Sequence, residues 1–295
     1  MIQNRSSPAK INLFLHITGR RADGFHELFS LMTKIRLADD MAFTFQGRDI
    51  QVTCDHPGVP EGKTNLAHKA AAVFFSSCEN LAEPIPMAGV LIHIRKHIPV
   101  GGGLGGGSSN AATVLKVLNE RYGFPFSLEA LLKMGLEIGA DVPFFLFGGP
   151  ALATGVGEKL IRAPDLDLTY LVLCNPGISV PTARVFQEHD FCLTTPEKYT
   201  IKSVSDALLQ GEGIDIRQYL HNDLEGSTFR LYPEIRSTKE EMERLLQRPV
   251  TMSGSGSTLF VLFSGWKNAK QGYECLCRRW PDKDKHFFLT MLQNG

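Results

Sequence analysis

The first part of the chain alternates apolar and polar residues with the period of two that is typical of β-strands. Over residues 10–18 every second side chain is apolar, which places the intervening Lys10 and Asn12 on the same face of the strand. Short runs of β-branched and other apolar residues, separated by turn residues, predict further strands at residues 33–37, 41–46, 50–54 and 90–95. Between the last two of these strands, Thr64 or Asn65 is expected to cap a helix.

Helical spacing dominates the middle of the chain. Apolar residues three and four positions apart predict a helix that begins near Ser108 and stops at Gly123, and a second helix that runs from a cap at Ser127 to Gly139. The second half mixes both patterns. Its predicted strands are residues 168–174, 250–252, 258–263 and 286–291, and its predicted helices are residues 182–188, 204–210, 237–247 and 268–279.

Strands and helices do not alternate in the strict rhythm of a parallel sheet, and this order predicts an α+β fold class. The 295 residues are enough for two domains of ordinary size. Glycines and a proline interrupt the pattern at residues 148–157, so the predicted boundary divides the chain into domains at residues 1–155 and 156–295.

Charge and cysteine content exclude several classes of partner. The 31 basic and 31 acidic residues cancel, so the chain lacks the positive surplus that binds nucleic acids and anionic membranes. The six cysteines follow no metal-binding or disulfide spacing, which favours free thiols in a reducing compartment. The polar first residues do not resemble a secretory signal, and no apolar run approaches the roughly 20 residues that span a bilayer. We therefore expect a cytoplasmic protein that binds neither nucleic acid nor membrane.

The strongest chemical signal is a glycine loop, residues 99–112. Six of the seven residues from 101 to 107 are glycine, interrupted only by Leu104. Glycines this dense occur where the backbone must approach a ligand closely or adopt positive φ. The helix that follows presents amide hydrogens without helical partners and the positive end of its dipole, which together form a site for phosphate. Ser108 and Ser109 would add hydroxyl donors or help to hold Mg²⁺.

Other interpretations of the glycine loop fit less well. A flexible linker is rarely held between a strand and a strongly amphipathic helix. A P-loop requires a lysine before its serine or threonine, whereas Ser108 directly follows Gly107. A dinucleotide fold, to which Gly101, Gly103 and Gly106 conform nominally, requires a second strand ending in an acidic residue, and here a second helix follows instead. A nicotinamide oxidoreductase is therefore disfavoured.

The glycine loop resembles the central motif of the GHMP kinases, named for galactokinase, homoserine kinase, mevalonate kinase and phosphomevalonate kinase. Residues 8–13, 24–28, 139–144 and 253–258 resemble further motifs of one subfamily, which acts on a cytidine-diphosphate derivative of methylerythritol in non-mevalonate isoprenoid biosynthesis. The resemblance covers nearly the whole chain. It implies an N-terminal ATP-binding domain like domain 2 of ribosomal protein S5 and a ferredoxin-like C-terminal domain on the substrate side.

The resemblance implies transfer of the γ-phosphoryl group of ATP, with Mg²⁺, to the C2 hydroxyl of the methylerythritol unit. It assigns Asp141 as the base that takes the hydroxyl proton and Lys10 as the electrostatic partner of that base. By residue type alone, Asp141 is more often a helix cap or a surface carboxylate, and Lys10 a solvated lysine at a sheet edge. No side chain is assigned as a metal ligand.

The resemblance also implies contacts to both nucleotides. The residues implied to bind ATP are Asn65, Leu66, Lys96, Pro99, Gly101, Gly102, Gly103, Leu104, Gly105, Gly106, Gly107, Ser108, Ser109 and Asn110. On the substrate side, Phe25 and Phe186 are expected to stack on the cytosine ring, His26 to hydrogen-bond its edge, and Asn12 to lie near the erythritol or phosphate groups. Core packing is the commoner role of phenylalanine. Relatives usually carry tyrosine where Phe25 stands, so the ring is retained here without its hydroxyl.

Two segments and two rival functions stay open. Residues 253–257 either cap the nucleotide with backbone donors or form a plain turn between strands, and residues 222–225 resemble a family segment without an assignable role. The same scaffold serves kinases of the homoserine or mevalonate type, and would serve a nucleotide-binding protein that does not catalyse. Residues 24–26 favour the cytidine derivative, and the joint presence of Asp141 and Lys10 favours catalysis.

Overall fold

The computed structural model describes residues 2–189, 215–281 and 284–294, so the helix predicted at residues 204–210 lies outside the described residues. The strands are β1 (Ile2–Arg20), β2 (His26–Phe45), β3 (Ile50–Cys54), β4 (Val90–Arg95), β5 (Ala151–Thr154), β6 (Lys159–Arg162), β7 (Tyr170–Asn175), β8 (His221–Asn222), β9 (Thr251–Met252), β10 (Leu259–Phe263) and β11 (His286–Gln293). The α-helices are α1 (Leu66–Glu79), α2 (Gly106–Arg121), α3 (Leu128–Ile138), α4 (Val142–Phe147), α5 (Thr182–Gln187), α6 (Leu224–Leu231), α7 (Pro233–Leu246) and α8 (Trp266–Arg279). This mixture confirms the α+β fold class.

Contacts between residues divide the chain into two compact units, and neither is contiguous in sequence. The first unit comprises Met1–Ala9, Leu37–Val100 and Gly105–Gly148. The second unit comprises Lys10–Arg36, Gly101–Leu104 and Gly149–Gly295. Strands β1 and β2 each contribute residues to both units. The domain boundary expected between residues 155 and 156 stays a prediction, because these units group residues by contact and not by chain order.

The first unit contains a short sheet and helices α1 to α4. The end of β2 pairs antiparallel with β4, and β4 pairs in parallel with β3. The helices pack against one another, and Phe74, Leu115 and Phe144 are fully buried. Asn65 and Ser127 cap α1 and α3 as predicted, because each side chain accepts a hydrogen bond from a backbone amide in the first turn of its helix.

The structure corrects the strands predicted near residue 40. The strands predicted at residues 33–37 and 41–46 are parts of the single strand β2. The residues that suggested a turn include Asp39, which is fully buried and accepts hydrogen bonds at Oδ1 from the amides of His97 (2.8 Å) and Ile98 (2.9 Å). A buried, hydrogen-bonded carboxylate therefore continues the strand where a polar pair predicted a break.

The second unit is built on an antiparallel sheet. Strand β7 pairs with β10 on one side and β11 on the other, β10 also pairs with β9, and β11 pairs with β2. Strands β5 and β6, which the sequence pattern did not predict, form a hairpin, and β5 pairs with β2. Val172 and Val261 from the sheet share a buried core with Met242 from α7 and Leu276 from α8. Among the described residues we find no helix with the length and apolar content to cross a membrane.

Candidate functional site

Residues 101–104 of the glycine loop belong to the second unit, where they contact the turn at residues 253–257. A Cβ atom built on Gly103, whose φ is +76°, would lie 2.2 Å from the carbonyl oxygen of Ser253. The Ser253 hydroxyl donates to the Gly103 carbonyl (3.1 Å), and the Thr258 amide donates to the Gly102 carbonyl (3.1 Å). Glycine at position 103 is therefore required by both its conformation and this close approach.

Lys10 and Asn12 lie beside this turn on the face of β1 that the period of two predicts. Both side chains are 4% exposed, and Lys10 Nζ donates to Asn12 Oδ1 at 2.7 Å. Asn12 Nδ2 donates to the hydroxyl of Ser30 (2.8 Å), and the amide of Lys10 donates to the carbonyl of Leu104 (3.0 Å). Lys10 is thus a buried cation and not a solvated edge lysine.

Asn222, which is far from Lys10 in the sequence, binds the same turn through its side chain. Its Nδ2 donates to the carbonyl oxygens of Met252 and Gly254, both at 2.7 Å, and its Oδ1 accepts the amide hydrogen of Leu224 (2.9 Å). A Cβ atom built on Gly254 would lie 3.5 Å from Lys10 Nζ. Asn222 therefore has a structural role that the sequence did not reveal: it fixes the turn that lies next to Lys10.

The beginning of α2 belongs to the first unit. The residue before the helix, Gly105, has a left-handed backbone with φ of +68°, which favours glycine. The helix begins at Gly106, two residues before the predicted start near Ser108. The amides of Gly106, Gly107 and Ser108 are consequently the first donors of the helix, which have no acceptors within it, and they lie at the positive end of its dipole. This end of α2 is suited to bind an anion.

A buried polar network lies against the first turn of α2. Lys96 forms an ion pair with Asp39 through Nζ and Oδ2, and both side chains are almost completely buried. Asn110 Nδ2 donates to Asp39 (3.0 Å) and to the hydroxyl of Ser7 (2.9 Å), and Ser7 donates to the hydroxyl of Ser109 (2.8 Å). The charge of Lys96 is therefore compensated inside the protein, and Ser109 and Asn110 contribute to the network that braces α2.

Asn65 and Leu66 lie at the beginning of α1, in the same unit. The Asn65 side chain accepts the amide hydrogen of Ala67 (2.9 Å) and donates to the carbonyl of Pro60 (2.8 Å). A Cβ atom built on Gly107 would lie 3.4 Å from Leu66 Cδ1. The expected helix cap is confirmed at Asn65, and Leu66 lies next to the start of α2. Their contacts to ATP stay predictions.

Asp141 stands between α3 and α4. It is the residue before α4, it is half-buried, and its side chain makes no hydrogen bond to the amides of that helix. The preceding segment lies near the start of α2, because a Cβ atom built on Gly139 would be 4.0 Å from the Ser108 hydroxyl. The aspartate therefore belongs to a segment close to the helix end that is suited to an anion.

Two of the aromatic side chains expected on the substrate side lie together in the second unit. The rings of His26 and Phe186 are 5.2 Å apart between centroids, with His26 buried and Phe186 half-buried on α5. Burial lowers the pKa of His26, and neighbouring His189 lowers it further, so the imidazole is neutral near pH 7, the form that has one donor and one acceptor nitrogen. Phe25, in the turn before β2, is 63% exposed.

Several polar residues of these clusters were missed by the sequence reasoning. Ser7 lies in β1, and Ser30 and Asp39 lie in β2, but all three are outside the segments predicted as strands, where a single polar residue is a weak signal. Their importance follows from partners far away in the chain. The roles predicted for the remaining residues of the glycine loop, Pro99 among them, stay predictions.

Two family models match the chain. The model of the GHMP kinases N terminal domain matches residues 65–149, and the model of the GHMP kinases C terminal matches residues 204–282. A protein of Syntrophotalea carbinolica named 4-diphosphocytidyl-2-C-methyl-D-erythritol kinase is 41% identical, over 92% of this chain and 94% of its own length. A protein of Exiguobacterium sibiricum with the same name is 39% identical, over 92% of each chain.

Solved structures are similar over the whole chain. The crystal structure of a 4-(cytidine 5'-diphospho)-2C-methyl-D-erythritol kinase superposes with a TM-score of 0.78 at 35% identity and covers 99% of this chain and 100% of its own. A homoserine kinase from Cytophaga hutchinsonii superposes with a TM-score of 0.75 at 15% identity, over 99% of this chain and 95% of its own. The second likeness shows a shared fold alone.

Proposed function

Because the chain belongs to the GHMP kinases, and within them to the 4-diphosphocytidyl-2-C-methyl-D-erythritol kinase family, we propose that it transfers the γ-phosphoryl group of ATP to the C2 hydroxyl of 4-diphosphocytidyl-2-C-methyl-D-erythritol. Activity as a small-molecule kinase follows from the family itself. The observation that carries the choice of substrate is the identity of 41% across 92% of the chain to a relative of that name. The reaction would belong to non-mevalonate isoprenoid precursor synthesis.

Asp141 is the proposed base. An alcohol is a weak nucleophile, so its proton must leave as the bond to phosphorus forms. The half-buried position of Asp141 at the beginning of α4 supports this role. The nearness of Gly139 to Ser108, at the start of α2, supports it further, because a phosphoryl group bound there would be close to the segment that carries Asp141.

Lys10 is proposed to stabilise negative charge during the transfer. A buried cation favours ionised groups around it and counters the charge that spreads over the transferring phosphoryl. Positioning and electrostatics dominate phosphoryl transfer, so we assign the main effect of Lys10 to the phosphoryl group. Asn12 supports this assignment because it orients the ammonium through a 2.7 Å hydrogen bond.

The triphosphate is proposed to bind at the glycine loop, with the amides of Gly106, Gly107 and Ser108 as donors. The left-handed Gly105 and the start of α2 at Gly106 support this, because the first amides of the helix have no acceptors within it. Ser108 is half-buried and would hold Mg²⁺, whereas the Ser109 hydroxyl is engaged with Ser7. When bound, the ion neutralises charge on the phosphates.

The cytosine ring is proposed to bind beside His26 and Phe186. The aromatic face of Phe186 would stack on the base, and the neutral imidazole would hydrogen-bond its polar edge. The exposed ring of Phe25 is proposed as the second stacking face. A kinase for homoserine or mevalonate has no use for such a pair of rings, and this is the feature that favours the cytidine derivative over those substrates.

An assay of ADP release with three acceptors tests the proposal. Purified full-length protein with ATP and Mg²⁺ is given 4-diphosphocytidyl-2-C-methyl-D-erythritol, homoserine or mevalonate, and ³¹P NMR identifies the hydroxyl that carries the new phosphate. We expect kcat/KM for the cytidine derivative to exceed that for the other acceptors by at least about 100-fold, because they leave the base-binding groups without partners.

Three other results of this assay would contradict the proposed function, each in a different way. ADP release at the same rate without an acceptor would indicate an ATPase. Faster turnover of homoserine or mevalonate would reassign the substrate while leaving the family intact. No ADP release with any acceptor, in protein that still binds ATP, would favour a nucleotide-binding protein that does not catalyse.

A further inference from the structure

His16, His221 and Asp223 form a compact cluster in the second unit that the proposed kinase chemistry does not use. One ligand atom from each, a ring nitrogen or a carboxylate oxygen, lies within 4.8 Å of the other two. His221 Nε2 is 2.5 Å from Asp223 Oδ1, and the two imidazole rings are stacked with centroids 4.6 Å apart. From this cluster we propose that the protein binds one divalent transition-metal ion, of the Zn²⁺ or Co²⁺ type, through these three side chains.

The backbone holds the three residues in fixed register. Strand β8 pairs in parallel with β1, with Phe14 opposite His221, and the amide of Asp223 donates to the carbonyl of Leu15 (3.0 Å). Asp223 Oδ2 in turn accepts the amide hydrogen of Ile17 at 2.6 Å. One carboxylate oxygen is therefore anchored to β1, and the other is directed to the imidazoles. Such anchoring of a ligand by a neighbouring backbone group is what metal sites require.

The donor set selects the class of ion. Two imidazoles and one carboxylate suit Zn²⁺, Co²⁺, Ni²⁺ or Cu²⁺, whereas Mg²⁺ prefers oxygen ligands alone. Tetrahedral coordination with bonds of about 2.1 Å places ligand atoms about 3.4 Å apart. The three ligand atoms lie within 4.8 Å of one another, and rotation of the His221 side chain, which is 43% exposed, would bring them to that separation, with water completing the coordination.

The ion would act on the turn next to Lys10. Asn222 lies between two of the ligands, and its side chain donates to the carbonyls of Met252 and Gly254. Fixing His221 and Asp223 on β1 therefore also fixes Asn222. The site is a brace for the segment at residues 221–223 and does not take part in phosphoryl transfer.

Metal titration of the full-length protein, after EDTA treatment, tests the proposal. Calorimetry with Zn²⁺ and visible absorption with Co²⁺ are compared for the wild type, His16→Asn, His221→Asn and the control His93→Asn, which removes an exposed imidazole in the first unit. We expect one equivalent to bind the wild type and the control, without the intense charge-transfer band of Co²⁺ bound to thiolate. Loss of one imidazole should weaken binding at least about tenfold.

Three outcomes would overturn the proposal: no binding by the wild type, equal affinity in all four proteins, or a thiolate band that places the ion on cysteine. Because the His221 side chain is 43% exposed, we expect His221→Asn to fold even if His16→Asn does not, and circular dichroism checks this. Mg²⁺ added in place of Zn²⁺ should leave the melting temperature of the EDTA-treated wild type unchanged, and Zn²⁺ should raise it more for the wild type than for His221→Asn. The same rise in both proteins would also contradict the site.

Discussion

Asp141 is the single residue on which the proposed chemistry depends most. Asp141→Asn keeps the size of the side chain and removes its ability to accept the hydroxyl proton. We expect kcat to fall by about 10²–10⁴-fold, the usual contribution of a general base, while ATP affinity and the unfolding midpoint keep their wild-type values. Steady-state kinetics and thermal unfolding measure these quantities.

The matched control makes the same chemical change elsewhere. Asp165→Asn alters a carboxylate that is 65% exposed, and it should keep the wild-type kcat. Full turnover by folded Asp141→Asn protein would remove Asp141 from the mechanism.

Phe186 distinguishes base recognition from core packing. Phe186→Leu keeps an apolar side chain and removes the aromatic face. We expect KM for the cytidine substrate to rise about 5- to 150-fold, because stacking contributes about 1–3 kcal/mol per base, while KM for ATP stays unchanged. Phe287→Leu, at a ring that stacks on Trp280 in the same unit, should change neither KM. An unchanged KM for the cytidine substrate in Phe186→Leu would mean that this ring only packs in the core.

At the residue scale, local pattern predicts which side chains share a face of a strand but not which of them are buried. The period of two places Lys10 and Asn12 on one face, and their 2.7 Å hydrogen bond confirms it. The pattern does not predict that Lys10 is buried, because burial depends on the turn at residues 253–257, more than 240 positions away. Asp39 was missed for the same reason: its amide donors and its lysine lie nearly 60 positions further along.

At the element scale, residues 101–104 of the glycine loop pack against the turn at residues 253–257, and substitution of Gly103 tests how tight this contact is. Gly103 and Gly47 have φ of +76° and +68°, so alanine costs about 1–2 kcal/mol at each from backbone conformation alone. Only at Gly103 would the new Cβ atom meet a neighbour, 2.2 Å from the Ser253 carbonyl oxygen, whereas nothing lies within 4 Å at Gly47. We expect Gly103→Ala to lose more free energy of unfolding in urea than Gly47→Ala. Equal losses would show that the contact is not tight.

The buried ion pair between Lys96 and Asp39 stabilises the network at the beginning of α2, and Lys96→Met tests this stabilisation. Removing the ammonium leaves the carboxylate of Asp39 buried without its counter-charge, which typically costs about 3–5 kcal/mol. In the double variant with Asp39→Asn the buried charge is gone, and the asparagine oxygen still accepts the amides of His97 and Ile98. Chemical unfolding should therefore show the double variant to be more stable than Lys96→Met. The reverse order would mean that the pair does not act as a unit.

The bounds of elements with strong periodicity were predicted closely. Those of a very short strand, and of a strand that continues through a polar residue, were not. The predicted bounds of β3 and β4 agree with the structure, and α3 begins after its predicted cap. Strand β2 was divided because buried Asp39 resembles a turn residue, and β8 is too short to leave a pattern. Whether such segments form strands depends on the strands with which they pair, and a single sequence does not reveal which strands those are.

At the scale of the whole molecule, the sequence predicts the fold class and the family but not the grouping of segments. Residues 10–36 join the second unit because β2 pairs with β11 and β1 pairs with β8, across separations of more than 200 residues. The chain has no net charge, with 31 basic and 31 acidic residues. Overall charge therefore does not attract ATP, and in the function proposed above local donors at the beginning of α2 bind its phosphates.

A crystal structure with a non-hydrolysable ATP analogue and Mg²⁺ tests whether these backbone donors hold the triphosphate. We predict β- and γ-phosphate oxygens within hydrogen-bonding distance of the amides of Gly106, Gly107 and Ser108, about 2.7–3.2 Å between nitrogen and oxygen. A nucleotide bound with its phosphates away from residues 101–110 would show that other groups hold them.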